Sequence, residues 1–277
     1  MSLTRVAAVQ CDPKLGDVPR NAAMILKRLE DAARRGAKLV VFPECALSGY
    51  GFASRKSAAR HAETVPGEFT ARLVEACGRL GVWAVVGMLE RSGARLFNAA
   101  VLAGPRGVEG VYRKVHLPHL GVDRFAAPGD RPFRVHALPF GRIGIHICYD
   151  NSFPETARAL RLAGADLLVL PTNWPEGARV ASKHVCITRV HENHVHLIAC
   201  NRVGTESGFR FIGRSQILDC VGRVLAKASH ARPAILTGDL DFSTARRTRV
   251  VIKKGEYELD RVGHRRPEFY GSLVRRT

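Results

Sequence analysis

Three short segments each set a reactive side chain at the end of an apolar run: Leu39-Val40-Val41-Phe42-Pro43-Glu44, Tyr112-Arg113-Lys114-Val115-His116-Leu117-Pro118 and Gly144-Ile145-His146-Ile147-Cys148-Tyr149-Asp150. Layered α/β proteins gather their functional groups just beyond the carboxyl ends of strands. Singly, each segment has an ordinary reading. A carboxylate after a strand and a proline caps a helix or sits in solvent, a lysine between Arg113 and His116 belongs to a basic loop, and a cysteine in an apolar strand is a small core residue. Together they offer more. Cleaving an amide-type carbon–nitrogen bond without a metal requires a thiolate or alkoxide nucleophile, a group that moves protons, and positive charge where the carbonyl oxygen becomes an anion. Cys148, Glu44 and Lys114 are one of each. A thiol whose ordinary pKa is about 8.5 needs a base or a nearby cation to ionise, and the other two residues supply both.

The elements that must position this trio follow from the hydrophobic pattern. Short runs rich in β-branched residues predict strands at Arg5–Gln10, Lys38–Pro43, Val82–Leu89, Phe97–Ala103, Arg142–Cys148, Asp166–Pro171, His196–Asn201, Ser215–Leu218 and Ala234–Leu240. Between them, Asn21–Arg35 repeats Ala22, Ile25, Leu26, Leu29 and Ala33 at helical spacing and stops at Gly36. Phe69–Leu80, Glu155–Ala163 and Ser182–Asn193 read the same way, the third opening after Pro154. A tight turn at Ser92–Gly93 makes the central stretch a hairpin, so the sheet content is mixed. About nine strands against four main helices fit two face-to-face sheets, covered outside by helices, better than one very wide sheet. Residues 1–277 read as a single domain with no repeat or linker; the polar, arginine-rich tail from 242 to 277 needs something to pack on, and a partner subunit is one candidate.

The blocks around the trio resemble the signature segments of the nitrilase superfamily, the Glu-Lys-Cys carbon–nitrogen hydrolases. Besides the three residues, the likeness takes in Gly49-Tyr50, Pro128-Gly129-Asp130, Pro154-Glu155, Arg189, Glu192-Asn193, Asn201-Arg202-Val203-Gly204, Phe211-Ile212-Gly213-Arg214-Ser215 and Arg265-Arg266-Pro267-Glu268-Phe269-Tyr270. The resemblance implies an α/β fold, a four-layer α-β-β-α sandwich with two mixed sheets, dimerising through helices into an eight-layer homodimer. It implies that Cys148 attacks the carbonyl carbon while Lys114 and the backbone N–H of Tyr149 hold the oxyanion. Glu44 then shuttles protons through a thioester intermediate, and Arg189 and Glu192 belong to the framework. Many members carry a second glutamate between lysine and cysteine. Here the only acids in that interval are Asp123 and Asp130, and Asp123 is the candidate substitute.

Residues after the cysteine narrow the substrate. True nitrilases typically show tryptophan-glutamate there, and N-carbamoyl amino-acid hydrolases show arginines; Tyr149-Asp150-Asn151-Ser152 has neither. A small linear amide or N-carbamoyl amine is the expected substrate class, with Tyr50, Phe125, Asn173 and Trp174 as pocket candidates. An acyltransferase would use the same trio, and a catalytically idle binding or scaffold member would keep only the fold.

The formal charge of +18 invites a nucleic-acid reading, but 34 of the 43 basic residues are arginines spread along the whole chain, and no recognition helix, zinc finger or RNA-binding signature accompanies them. No nucleic-acid partner is expected. The seven cysteines are scattered without a Cys-x-x-Cys pair, and His191, His194 and His196 lack a ligand pattern, so neither disulfides, a metal nor another cofactor is expected. With no apolar run of roughly 18 residues and no signal-like start, the expected setting is cytoplasmic, away from the membrane.

Overall fold

A computed structural model describes residues 3–275 of the chain. Two six-stranded sheets stand face to face. The first is built from β1 (Thr4–Gln10), β2 (Leu39–Val41), β3 (Trp83–Ser92), β4 (Arg95–Gly104), β5 (Gly107–Arg113) and β14 (Ala234–Leu240), in the order β14-β1-β2-β3-β4-β5. The second is built from β6 (Val135–Leu138), β7 (Gly141–Ile145), β8 (Leu167–Thr172), β9 (His196–Asn201), β12 (Gln216–Leu218) and β13 (Val224–Lys227), in the order β13-β12-β9-β8-β7-β6. Both are mixed: β1-β2-β3 and β7-β8-β9 run parallel, and the flanking pairs run antiparallel.

The period of two along β1 shows how the layers form. Val6 and Ala8 face the second sheet and pack with Leu39, Val41, Val85, Ile143, Ile145 and Val169, whereas Ala7 and Val9 face outward. There they meet α1 (Val18–Arg34) and α3 (Glu68–Leu80) through Ile25, Leu29 and Leu73. On the far side, α4 (Pro154–Leu162) and α5 (Cys186–Asn193) cover the second sheet through Ala157, Leu160, Cys186 and Val190. The result is the four-layer α-β-β-α sandwich expected from the strand count. Parallel strands buried on both faces read as continuous apolar runs, which made β1, β2, β3, β7, β8 and β9 legible, and β4, β12 and β14 also fall where their apolar stretches put them.

Several elements were not anticipated. The edge strand β5 reads Gly-Val-Glu-Gly-Val-Tyr-Arg, with glycines and a charge where an interior strand has aliphatics. β6 and β13 are likewise short edge strands, and β10 (Val203–Glu206) with β11 (Phe209–Ile212) forms a separate hairpin. A short α2 (Arg55–Ala59) also lies in the first half. The hairpin between β3 and β4 turns at Gly93-Ala94, one residue beyond the expected place. The tail begins by packing on its own chain. In α6 (Phe242–Arg246), Phe242 joins the core between the sheets and Arg246 pairs with Asp166, and a small hairpin of β15 (Val250–Lys253) and β16 (Tyr257–Leu259) follows. Among the described residues no helix is long and apolar enough to cross a membrane.

Candidate active site

Glu44 is placed by the chain leaving β2. Phe42 N–H still donates to Val85 O at 2.8 Å, after which the backbone folds over β3 and Leu47 N–H donates to Gly87 O at 3.1 Å. This crossing needs a residue without a side chain beneath it. A Cβ at Gly87 would lie 2.3 Å from Pro43 O and 2.6 Å from Glu44 Cα. Lys114 is placed by the end of β5, where its N–H donates to Asn98 O and its own carbonyl accepts from Gly129 N–H, both at 2.8 Å. The Pro128-Gly129-Asp130 turn is thus a clamp on the lysine backbone. Its neighbour Arg113 is turned away from Lys114 and held by Glu90 and Asp130.

The side chains converge. Lys114 Nζ donates to Glu44 Oε1 at 2.7 Å and to Asp123 Oδ2 at 2.5 Å, with all three side chains fully buried. Asn98 Nδ2 donates to both carboxylates, at 2.7 Å to Glu44 Oε1 and 2.8 Å to Asp123 Oδ1. The Tyr50 hydroxyl donates to Asp123 Oδ2 at 2.8 Å, and the Tyr50 ring lies 6.0 Å from the ammonium. Asp123 sits on a 3-10 turn, Gly121–Arg124, anchored by Val122 N–H to Tyr50 O. Glu44 Oε2 is left buried with no partner. The carboxylate is therefore held by one oxygen and open at the other.

Cys148 begins a 3-10 turn, Cys148–Ser152, that follows β7, and its φ is +47°. That left-handed backbone is uncommon away from glycine and marks a turn over-determined by its surroundings. Tyr149 is the second residue of this turn, where backbone N–H groups lack an intrahelical acceptor and point at whatever stands before the helix. Of the seven cysteines, Cys148 alone keeps part of its residue surface exposed. Burial and then Glu44 push its thiol up to about 12, against the opposing pull of Lys114, the Thr172 side chain and the Asn173 N–H. Burial likewise raises Glu44, with Asp123 adding to the rise and Lys114 opposing it. Burial alone would lower the Lys114 ammonium, but Glu44, Asp123 and Cys148 together hold it well above its ordinary value. The lysine stays charged, the glutamate is a readier proton acceptor than a solvated one, and the thiol keeps its proton until a base removes it.

Of the residues singled out in the sequence, Glu44, Lys114, Asp123 and Tyr50 form one hydrogen-bonded cluster, and Cys148 lies within electrostatic reach of the first two. Asn173 is buried beside the thiol with both amide atoms unpartnered. Trp174 is buried in the cluster beneath α4 and α5, and its backbone N–H donates to Asn201 Oδ1. Phe125 lies under the Arg124 guanidinium at 4.8 Å and is tied to none of the trio, and Arg124 itself donates to Gly121 O and Phe52 O. His146 bonds Asn151, while His194 and His196 bond the carbonyls of Thr244 and Asp241. Among the described residues no group of three or more potential metal ligands gathers anywhere.

Two residues of the site escaped the sequence reading. Asn98 links both carboxylates, and a lone amide inside the apolar run Phe97–Ala103 was the available signal. Glu206 accepts the N–H groups of Tyr50 and Gly51, at 2.8 and 2.6 Å, and pairs with Arg202 at 2.7 Å, so the β10-β11 hairpin steadies the segment that carries Tyr50.

Comparison with known proteins finds relatives over most of the chain. Residues 5–250 match the family model described as carbon-nitrogen hydrolase. A protein of Pyrococcus abyssi named nitrilase is 37% identical over 251 residues, covering 90% of this chain and 94% of that protein. The N-carbamoylputrescine amidase of Arabidopsis thaliana is 29% identical, covering 93% and 91%. Among solved structures, an amidase from Nesterenkonia sp. AN1, with the acetamide moiety of fluoroacetamide on its active-site cysteine, superposes with a TM-score of 0.80 at 23% identity, covering 98% and 97%.

Proposed function

The chain belongs to the carbon-nitrogen hydrolase family, and we propose that it hydrolyses the amide-type bond of a small linear amide or N-carbamoyl amine through a thioester on Cys148. The observation that carries this reading is the buried Lys114 ammonium held between Glu44 and Asp123, with one Glu44 oxygen left open. In this scheme Glu44 takes the thiol proton as Cys148 attacks the carbonyl carbon. Lys114 and the Tyr149 N–H stabilise the tetrahedral oxyanion. Glu44 then gives the proton to the departing amine or ammonia, and the thioester remains. A water deprotonated by the same carboxylate releases the acid and restores the thiol. Asp123 fills the place of the second glutamate that many relatives carry, holding the ammonium from the other side.

Asn173 supports a substrate role through its two unpartnered amide atoms, because a buried amide without partners is costly unless a ligand completes it. Tyr50 is engaged with Asp123 and acts through it, and the positions of Phe125 and Trp174 support packing over contact with substrate. One observation favours a second reading, nitrile hydrolysis: the relative from Pyrococcus abyssi bears that name. The residues after the cysteine, Tyr149-Asp150, favour the amide. The exposed Phe269, Leu273 and Val274, beside a groove of about 820 Å³ along α4, support a homodimer contact through the tail. Light scattering reads that assembly directly.

The test of the chemistry is intact-protein mass spectrometry after incubation with a panel of linear amides, N-carbamoyl amines and nitriles, and with fluoroacetamide. A covalent adduct on Cys148, absent from a folded Cys148→Ala protein, is the expected result. Product formation by Cys148→Ala at the wild-type rate would refute the mechanism.

A further inference from the structure

Asp150 is wholly buried beside the candidate nucleophile, and no step of the chemistry above uses it. Its carboxylate accepts four hydrogen bonds. Oδ2 takes the Tyr112 hydroxyl at 2.8 Å and the Ile147 N–H at 2.9 Å. Oδ1 takes the His116 N–H at 2.9 Å and meets His116 Nδ1 at 2.7 Å. An ionised carboxylate can only accept, so that ring nitrogen carries a proton in this arrangement. The His116 ring is further fixed by stacking on Phe153 at 3.8 Å, at the close of the Cys148 turn.

The chain positions of these donors give the group its meaning. Tyr112 and His116 stand two residues before and two after Lys114, and Ile147 directly precedes Cys148. β5 and β7 belong to different sheets, and among the described residues no strand pairing joins those sheets. The apolar packing between them is non-directional and sets no particular distance from lysine to cysteine. One carboxylate grips the backbone and side chains on both sides of the ammonium and, at the same time, the N–H next to the thiol. Held by four donors in a low-dielectric interior, it forms a fully satisfied polar network that specifies a single arrangement.

We propose that Asp150 is a positioning residue that fixes the separation between the Lys114 ammonium and the Cys148 sulfur, so that the cation acts on the thiolate and on the oxyanion formed there. This rests on the reading of Cys148 as nucleophile and Lys114 as its electrostatic partner. If it holds, loss of Asp150 weakens the action of Lys114 on the sulfur, and a protein that already lacks the ammonium has nothing further to lose.

The experiment is a double-mutant cycle on the rate of Cys148 alkylation by iodoacetamide, followed by mass spectrometry at several pH values, with melting temperatures measured alongside. It needs no knowledge of the substrate, and the other six cysteines are buried. Asp150→Asn is expected to slow alkylation about tenfold at fixed pH, equivalent to one pKa unit on the thiol. Tyr112→Phe, which loses a single hydroxyl and keeps the ring, is expected to slow it roughly threefold and serves if Asp150→Asn does not fold. In a Lys114→Met background neither change is expected to slow the reaction further. Unchanged alkylation in folded Asp150→Asn or Tyr112→Phe protein overturns the proposal, as does equal slowing with and without Lys114. A wild-type Cys148 inert to iodoacetamide sinks the nucleophile reading itself, whereas a reactive Cys148 indifferent to Asp150 sinks the positioning role alone.

Discussion

Replacing Asp123 by asparagine tests whether the second acid on Lys114 matters. The carboxylate lies 2.5 Å from Nζ and also accepts from Asn98 and Tyr50. At an effective dielectric constant of about 20, direct attraction at that distance is about 7 kcal/mol, but removing a buried carboxylate also removes several kcal/mol of desolvation cost. Asparagine keeps one acceptor oxygen and turns an NH2 toward a donor, and Glu44 still pairs with the ammonium, so the net loss is about 2–3 kcal/mol. For a chain of this size that lowers the melting temperature by roughly 3–6 °C. The pH profile moves in a defined direction. Burial raises Glu44 and the Asp123 charge raises it further, so without that charge Glu44 ionises at lower pH. The acid limb of kcat/KM therefore shifts downward, while kcat falls about 10–100-fold because the ammonium is held from one side only. Steady-state kinetics from pH 4 to 9 on whichever amide forms the Cys148 adduct, with calorimetry in parallel, measures all three quantities. Wild-type kcat together with an unmoved acid limb would refute the assignment of Asp123 as the supporting acid.

Two further substitutions probe the frame. Asn98→Ala removes one donor from each carboxylate and is expected to lower kcat/KM about 10–100-fold, from a loss of about 1.5–3 kcal/mol, with KM for the amide changing less than kcat; a rate within twofold of wild type would show that the amide is incidental. Gly87→Ala drives a Cβ into Pro43 O and Glu44 Cα and is expected to cost about 2–3 kcal/mol or more of stability and most of the activity, since the crossing backbone must lift and carry Glu44 with it; circular dichroism melting and the same kinetic assay read both effects, and a fully active, equally stable variant would contradict the close approach.

Within the trio, Glu44 and Cys148 were legible because each follows an apolar strand, and strand ends converge in a layered fold whatever the loops do; Lys114 stood out by its block Tyr112–Pro118. The connections among its members were not legible, because they depend on register. That Asn98 reaches both Glu44 and Asp123 follows from the pairing of β4 with β3 and β5, and nothing in the string Phe-Asn-Ala-Ala announces which face the amide takes. Likewise β5 was missed because an exposed edge strand need not be apolar, although Lys114 directly follows it. Asp123 could be suspected only from the absence of a glutamate, and Asp150 stood in plain view next to the candidate nucleophile without its four donors, which come from Tyr112 and His116 on one side and Ile147 on the other. The division has a physical cause. Burial drives the thiol and Glu44 toward their protonated forms, and one buried ammonium opposes that drive. Such opposition works only at short, fixed distances, since charge–charge energy falls with separation whereas the desolvation cost of burial does not. Residue identity therefore names the chemistry, and the polar groups that hold three elements of two unpaired sheets in place decide whether it can run.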